Sequence, residues 1–124
     1  MNVVQESAEL RSVRCQLAKL AASRRTRQAE WSEARPIDWR PTQIQHPDGD
    51  GFFTRNGAWD FLVERLDAGE PIQEISLRDP PGRKAYVMKI RVSPTLPYLY
   101  VKLELGAGVV LGRSFHYDKE DSDD

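Results

Sequence analysis

The stretch YLYVKLELGAGVVLGRSFHYD, residues 98–118, decides the fold of this chain, because it joins two runs of alternating residues through a Gly-Ala-Gly turn. Alternation of apolar and polar residues is typical of a strand with one buried face. The connection is short, so the two strands are predicted to pair antiparallel as a hairpin. Arg, Ser, His and Tyr follow almost together near its end. Either this hairpin only has a polar rim, or chemistry is done there.

Alternation along these strands assigns the side chains to two faces. The face predicted to be buried carries Leu99, Val101, Leu103 and Leu105. The opposite face carries Tyr98, Tyr100, Lys102 and Glu104. In the last strand, the buried set is Val109, Leu111 and Phe115, and the opposite set is Gly112, Ser114 and His116. Arg113 falls on the buried parity, where an unpaired charge is costly, so either a bulge at Gly112 turns it outward or it reaches the domain edge.

The rest of the chain completes an α+β architecture, with N-terminal helices followed by a four-stranded antiparallel sheet and the helices packed on one face. Strands are predicted over 72–77, 84–92, 98–105 and 109–117, with a turn over 78–83 because of its prolines and glycine. Helices are predicted over 6–34 and 54–68. The expected organisation is an N-terminal helical arm over 1–40, a core domain over 41–117 and a disordered acidic tail over 118–124.

The two predicted helices differ in how clearly their sequences show a buried face and helix ends. The second has an apolar stripe at helical spacing, with Thr54 or Asn56 as its N-cap and Gly69 after its end. The first has a narrow stripe that starts at Leu10 and an Arg-rich second half. It is either an arm that contacts RNA or a partner protein, or a solvated helix lying on the core. It is also the candidate surface for homo-oligomerisation.

Composition bounds the function class. The chain has 124 residues, 40% hydrophobic and 30% charged, which suits one soluble domain. No apolar run is long enough to span a bilayer, and no secretory signal is visible, so we expect no membrane association. Cys15 is the single cysteine, which favours a reducing cytoplasm. Two histidines far apart give little support for a metal, and no cofactor is predicted.

The face of the sheet away from the helices is predicted to gather cations and aromatic rings. On the strand 84–92, Lys89 and Arg91 have the polar parity. They would join Tyr100, Lys102 and His116, which suits single-stranded RNA because cations meet phosphates and rings stack on bases. The same groups suit RNA cleavage, which needs a base, an acid and cations around the phosphorane. The alternatives are non-catalytic binding and an ordinary solvated face.

The run LYVKLELGAGVVLGRSFH also resembles the C-terminal hairpin of MqsR-like and RelE-like bacterial toxins, the mRNA interferases of toxin–antitoxin pairs. The resemblance covers about residues 54–117. It matches Tyr100 to the tyrosine of the family's active strand and Lys102 to the lysine two positions on. His116 or Arg113 would be the terminal basic residue. The family's glutamine on the preceding strand has no match, since Lys89 or Arg91 stands there.

The resulting hypothesis is a metal-independent endoribonuclease that cleaves mRNA by 2′-OH transesterification on the open sheet face. Tyr100 or His116 would act as acid or base, and Lys89, Lys102 and Arg113 would stabilise the phosphorane. Further RNA contacts are assigned to Arg91, Tyr98 and Ser114. The resemblance implies an antitoxin protein as partner. The alternative is a non-catalytic RNA- or protein-binding module on the same fold.

Overall fold

A computed structural model describes residues 7–33, 36–47, 51–78 and 81–118. Two α-helices and six strands form an α+β fold with a mixed sheet. The elements in chain order are α1 (Ala8–Ala21), β1 (Arg27–Gln28), β2 (Asp38–Trp39), a 3₁₀ turn (Pro41–Gln43), α2 (Arg55–Asp67), β3 (Gln73–Arg78), β4 (Pro81–Ile90), β5 (Leu99–Leu105) and β6 (Val110–Tyr117).

The sheet has the order β1-β6-β5-β4-β3, and β2 also pairs with β6. Strands β3 to β6 form the antiparallel meander predicted from the sequence. The prediction of four strands is incomplete, because β1 and β2 run parallel to β6 along its outer edge. The two short strands contact successive parts of β6 and together form its outer neighbour in the sheet.

Both helices lie on one face of the sheet and close the main hydrophobic core. The helix predicted over 54–68 is confirmed as α2, and the Thr54 hydroxyl accepts a hydrogen bond from the Gly57 amide as its N-cap. The core takes Leu17 from α1, Leu62 from α2 and Phe115 from β6, all fully buried. Apolar burial of this kind supplies the main favourable term in folding.

The prediction of one helix over 6–34 is wrong in its length, because α1 ends at Ala21. The Thr26 hydroxyl donates to the Leu20 carbonyl at 2.6 Å, and the Arg27 guanidinium donates to the Ala21 carbonyl at 3.0 Å. Side chains therefore satisfy the last carbonyls, and the next residues pair with β6 instead of continuing the helix.

The N-terminal segment contributes to the same core and sheet as the rest of the chain. Leu17, Ala18 and Ala21 of α1 are buried in that core, which supports the reading of a helix lying on the core. Homo-oligomerisation through this helix stays a prediction. The acidic tail lies outside the described residues except for Asp118, which is buried and whose amide donates to the Tyr98 carbonyl at 2.8 Å.

Candidate functional site

The face opposite the helices, here called the open face, is organised by cross-strand pairs. Tyr100 on β5 lies between Lys89 on β4 and His116 on β6. Because directly opposed residues share a face, these three side chains form one row. A second row crosses the sheet at Lys102, which lies between Val87 and Ser114.

A β-bulge interrupts the pairing of β5 and β6 next to this second row. Lys102 pairs with Ser114 and Leu103 pairs with Gly112, so Arg113 is the extra residue. The predicted bulge is therefore confirmed, and Arg113 is turned towards Glu104 on the open face. A bulge exchanges the faces of the residues on its two sides, which is why the arginine leaves the buried parity.

The same bulge makes the predicted parity of the first half of β6 wrong. Leu111 pairs with Glu104 and therefore faces the open side, whereas Val110 enters the helix-side core. Gly112 also lies on the helix side, where a Cβ atom would come within 2.8 Å of the Trp39 ring. The glycine is needed because the indole occupies the space of a side chain.

A buried ion cluster lies beside the bulge. Glu104 is fully buried and accepts a hydrogen bond from the Arg113 guanidinium at 3.0 Å. The Arg83 Nε atom lies 2.7 Å from the other carboxylate oxygen of Glu104. Arg113 is itself only 5% exposed, so Glu104 and Arg113 form an ion pair away from bulk water, and Arg83, whose side chain is 41% exposed, reaches the same carboxylate from the surface. Part of the open face is therefore filled by an internal ion cluster.

Lys102 is the titratable group of this face with the clearest change in acidity. Its side chain is half-buried in the second row, next to Ser114. Burial lowers the pKa of the Lys102 ammonium, and the positive charge of Arg113 lowers it further. A lowered pKa makes the neutral amine more accessible, so Lys102 can act as a general base, and a half-buried lysine of this kind is a candidate functional group.

His116 has contacts that fix its ring. The imidazole stacks on the Tyr100 ring with the centroids 5.5 Å apart and the planes 17° from parallel. Its Nδ1 atom lies 2.8 Å from the Tyr117 carbonyl oxygen, and its Nε2 atom lies 3.4 Å from a carboxylate oxygen of Asp38. Both ring nitrogens therefore lie near oxygen atoms of neighbouring residues, which hold the imidazole in this orientation.

The remaining predicted contacts lie at the end of the open face near the β4–β5 loop. Lys89 Nζ is 2.9 Å from a carboxylate oxygen of Asp118. Arg91 places its guanidinium carbon 3.9 Å above the Tyr98 ring and donates to the Leu96 carbonyl at 2.6 Å. A guanidinium held on a phenol ring is a cation–π contact, and it leaves a flat cationic surface at the edge of the sheet.

The eight predicted site residues thus lie on or at the end of one face, although their roles remain predictions. Sequence reasoning missed three acidic partners that shape the site, Asp38, Glu104 and Asp118. Glu104 was placed on the right face, but no pattern showed that it would be buried with two arginines. Asp38 lies near His116 because β2 pairs parallel with β6. A strand of two residues is too short to show a periodic pattern in the sequence.

Two further findings concern metal binding and membrane crossing in the part of the chain that the structure describes. Within residues 7–33, 36–47, 51–78 and 81–118, no group of three or more His, Cys, Asp and Glu side chains is placed to hold a metal ion. Neither helix in those ranges is long and apolar enough to cross a membrane.

No family model matches the chain, and neither the curated proteins nor the solved structures include one that is similar to it. The resemblance to MqsR-like and RelE-like toxins therefore rests on the short run around Tyr100, Lys102 and Ser114, and it stays a prediction. The assignment of a function depends on the chemistry of the open face itself.

Proposed function

We propose that this protein is an endoribonuclease that cleaves mRNA by 2′-OH transesterification on the open face, in the manner of a bacterial mRNA interferase toxin. The observation that carries the proposal is the position of Lys102, a lysine with a lowered pKa, one strand away from the ring of His116. They are diagonal neighbours on one face, with Cβ atoms roughly 7 Å apart in such a pair. A phosphate group can fit between the ends of their side chains.

The division of roles follows from the contacts of each group. Lys102, predicted from the sequence as a contact of the phosphorane, is here assigned as the base: its neutral form, which the lowered pKa makes more accessible, takes the proton of the 2′-OH, and the 2′-oxygen attacks the phosphorus. His116 donates a proton to the leaving 5′-oxygen, so the products carry a 2′,3′-cyclic phosphate and a 5′-hydroxyl. Acid–base catalysis by placed side chains contributes about 10²- to 10⁴-fold in rate for such groups. Lys89 supplies positive charge for the phosphorane oxygens.

Two of the predicted roles are refined by the geometry. Arg113 is bound to Glu104, so its proposed effect on the reaction is through the acidity of Lys102 and not through a direct phosphate contact. Tyr100 stacks on His116, and we assign it the role of positioning the imidazole. Ser114 lies beside Lys102 but is only 6% exposed, so we assign it no contact with the substrate.

The experiment is RNA cleavage by the purified chain in the presence of EDTA. Wild type is expected to cleave, while Lys102→Ala and His116→Ala each lose about a hundredfold in rate. Lys19→Ala is the matched control, because Lys19 is exposed on α1 on the other side of the sheet. Absence of cleavage by wild type, or equal rates in all four proteins, would contradict the proposal.

A toxin of this kind would have an antitoxin that covers the open face. We propose that its gene neighbours that of this chain and encodes a protein with acidic side chains complementary to Lys89, Arg91 and Lys102. Co-purification of that protein with the chain should abolish RNA cleavage. A complex that forms but leaves cleavage unchanged would argue against coverage of this face.

A second candidate function is non-catalytic RNA binding on the same face. The stacked pairs Arg91–Tyr98 and Tyr100–His116 favour it, because rings and guanidinium planes stack on unpaired bases. Binding to RNA without cleavage should weaken steeply with salt, since phosphate contacts release counterions. A shallow salt dependence would indicate a protein partner instead.

A further inference from the structure

A cavity of about 320 Å³ opens at the edge of β6, on the side away from the open face. It lies where β1 and β2 diverge, between that edge and the first turn of α2. Its wall includes Arg27, Glu30, Trp39, Thr42, Arg55 and Trp59. The volume is at the lower end of the roughly 300–1,000 Å³ that small-molecule sites occupy, which suits a single small ligand.

The aromatic part of the wall is rigid. The rings of Trp39 and Trp59 lie 4.9 Å apart with their planes at 31°. Trp39 also contacts Phe115, with the ring centroids 5.3 Å apart, and lies over Gly112, where a Cβ would come within 2.8 Å of it. Trp59 is almost fully buried, whereas Trp39 is half-buried and lines the cavity. The indole of Trp39 is therefore packed against Trp59, Phe115 and Gly112, and the part of it that stays exposed lines the cavity.

The two arginines of the wall have different roles. The Arg27 side chain is 6% exposed, and its guanidinium donates to the Ala21 carbonyl and to Asn56 Oδ1 at 2.9 Å, with Asp60 3.6 Å away. The positive charge of Arg27 therefore already has partners within the protein. Arg55 is exposed and makes no side-chain hydrogen bond or ion pair with any residue that the structure describes. Its guanidinium can therefore take an anionic group of a ligand.

We propose that this cavity binds a nucleotide, with the base packed against the exposed part of the Trp39 indole and the phosphate held by Arg55. A planar ring attached to a phosphate is the ligand that matches an indole surface beside an uncommitted guanidinium, since Arg forks bind phosphate and bases stack on aromatic side chains. The Glu30 carboxylate on the same wall accepts from an exocyclic amine, so adenine and cytosine bind better than uracil.

The nucleotide has two sources, a free nucleoside monophosphate or one unit of an RNA strand. Strand β2 joins the cavity to the open face, because Asp38 lies beside His116 and the next residue, Trp39, lines the cavity. An RNA strand that crosses β2 could therefore occupy both the cavity and the open face. The binding of a nucleotide here does not depend on the proposed cleavage of RNA.

The test is the response of the three tryptophan indole NMR signals of the full chain, assigned with Trp31→Phe and Trp59→Phe. AMP is expected to shift the Trp39 signal saturably, CMP likewise, and UMP more weakly. Arg55→Gln should weaken AMP binding about tenfold, as expected for one charge-assisted contact. Glu30→Gln should remove the preference for AMP over UMP. Arg11→Gln on α1 is the control and should bind as wild type.

A short 2′-O-methyl RNA ending in adenosine, which cannot be cleaved through a 2′-OH, distinguishes the two sources. A Trp39 response to either AMP or this RNA supports the proposal. No response to either overturns it, as does unchanged AMP affinity in Arg55→Gln. Inorganic phosphate giving the same shift would mean that only an anion binds, and a tyrosine-containing acidic peptide binding more tightly than AMP would assign the cavity to a peptide. Lys102→Ala should leave the AMP response unchanged, whatever its effect on RNA cleavage.

Discussion

The two faces of the sheet are built by the same strands, yet they impose different demands on the chain. On the helix side, β5 and β6 bury Leu99, Val101 and Phe115 completely. On the open face they bury Glu104 and Arg113. Apolar burial is non-directional, so alternation alone builds the first face. A buried charge needs a partner at hydrogen-bond distance, so the second face needs a bulge to bring the two residues together.

The largest expected difference between the faces is at two adjacent residues of β6. Phe115→Ala should lower the free energy of unfolding by about 3–5 kcal/mol, because it leaves a cavity among the rings of Trp39 and Phe53. Ser114 is also buried, on the other face, but Ser114→Ala removes only one hydroxyl and should cost about 1 kcal/mol. Urea unfolding of both variants checks this, and equal losses would contradict the assignment of faces.

Glu104→Gln should have the next largest effect. The amide keeps the size of the side chain but removes the charge that compensates buried Arg113, so a loss of about 3 kcal/mol is expected. The double variant Glu104→Leu/Arg113→Leu should lose less than Glu104→Gln, because no buried charge is then left without its partner. A double variant that loses more than the single one would show that the ion pair itself stabilises the fold.

Gly112→Ala tests the bulge at its closest contact. A Cβ within 2.8 Å of the Trp39 ring forces the indole or the strand to move, which should cost about 1–3 kcal/mol. Trp39→Leu in the same chain should recover part of that cost, which a double-mutant cycle measures. Purely additive losses would place the strain elsewhere.

Lys102→Met should have the smallest effect on stability, a gain whose size depends on pH. The pKa of Lys102 is lower in the folded than in the unfolded chain, so the charged ammonium opposes folding at neutral pH. The variant should therefore be more stable at pH 7, on the order of 0.5 kcal/mol. Above the folded pKa the wild type loses this disadvantage, so the gain should fade as the pH approaches about 10.4. A gain independent of pH would contradict the burial of charge.

Much of the fold was readable from local patterns. The alternation from Leu99 to Leu105 gives β5 and its buried face, and Thr54 marks the start of α2. Gly112 next to Arg113 was enough to predict the bulge. One extra residue exchanges the faces of all the residues before it in the strand. The sequence-based assignment of Leu111 to the buried face did not take this exchange into account, and it was therefore wrong.

The parts that could not be predicted are those set by long-range contacts. Strands β1 and β2 have two residues each, too few for a periodic pattern, and they exist because β6 offers an unpaired edge. The end of α1 is fixed by Thr26 and Arg27 and not by a glycine or proline. At the site, Lys102 and His116 were found from parity, whereas Asp38 required the tertiary structure.

The most direct test of the proposed function is the chemistry of the RNA ends. The purified chain is incubated with an RNA and with the same RNA carrying a single 2′-deoxy nucleotide at the cleavage site, and the products are analysed by mass spectrometry. Attack by the 2′-oxygen, started by Lys102, predicts 2′,3′-cyclic phosphate ends from the first RNA and an intact second RNA. Cleavage of the 2′-deoxy substrate, or products ending in a 3′-hydroxyl, would contradict it.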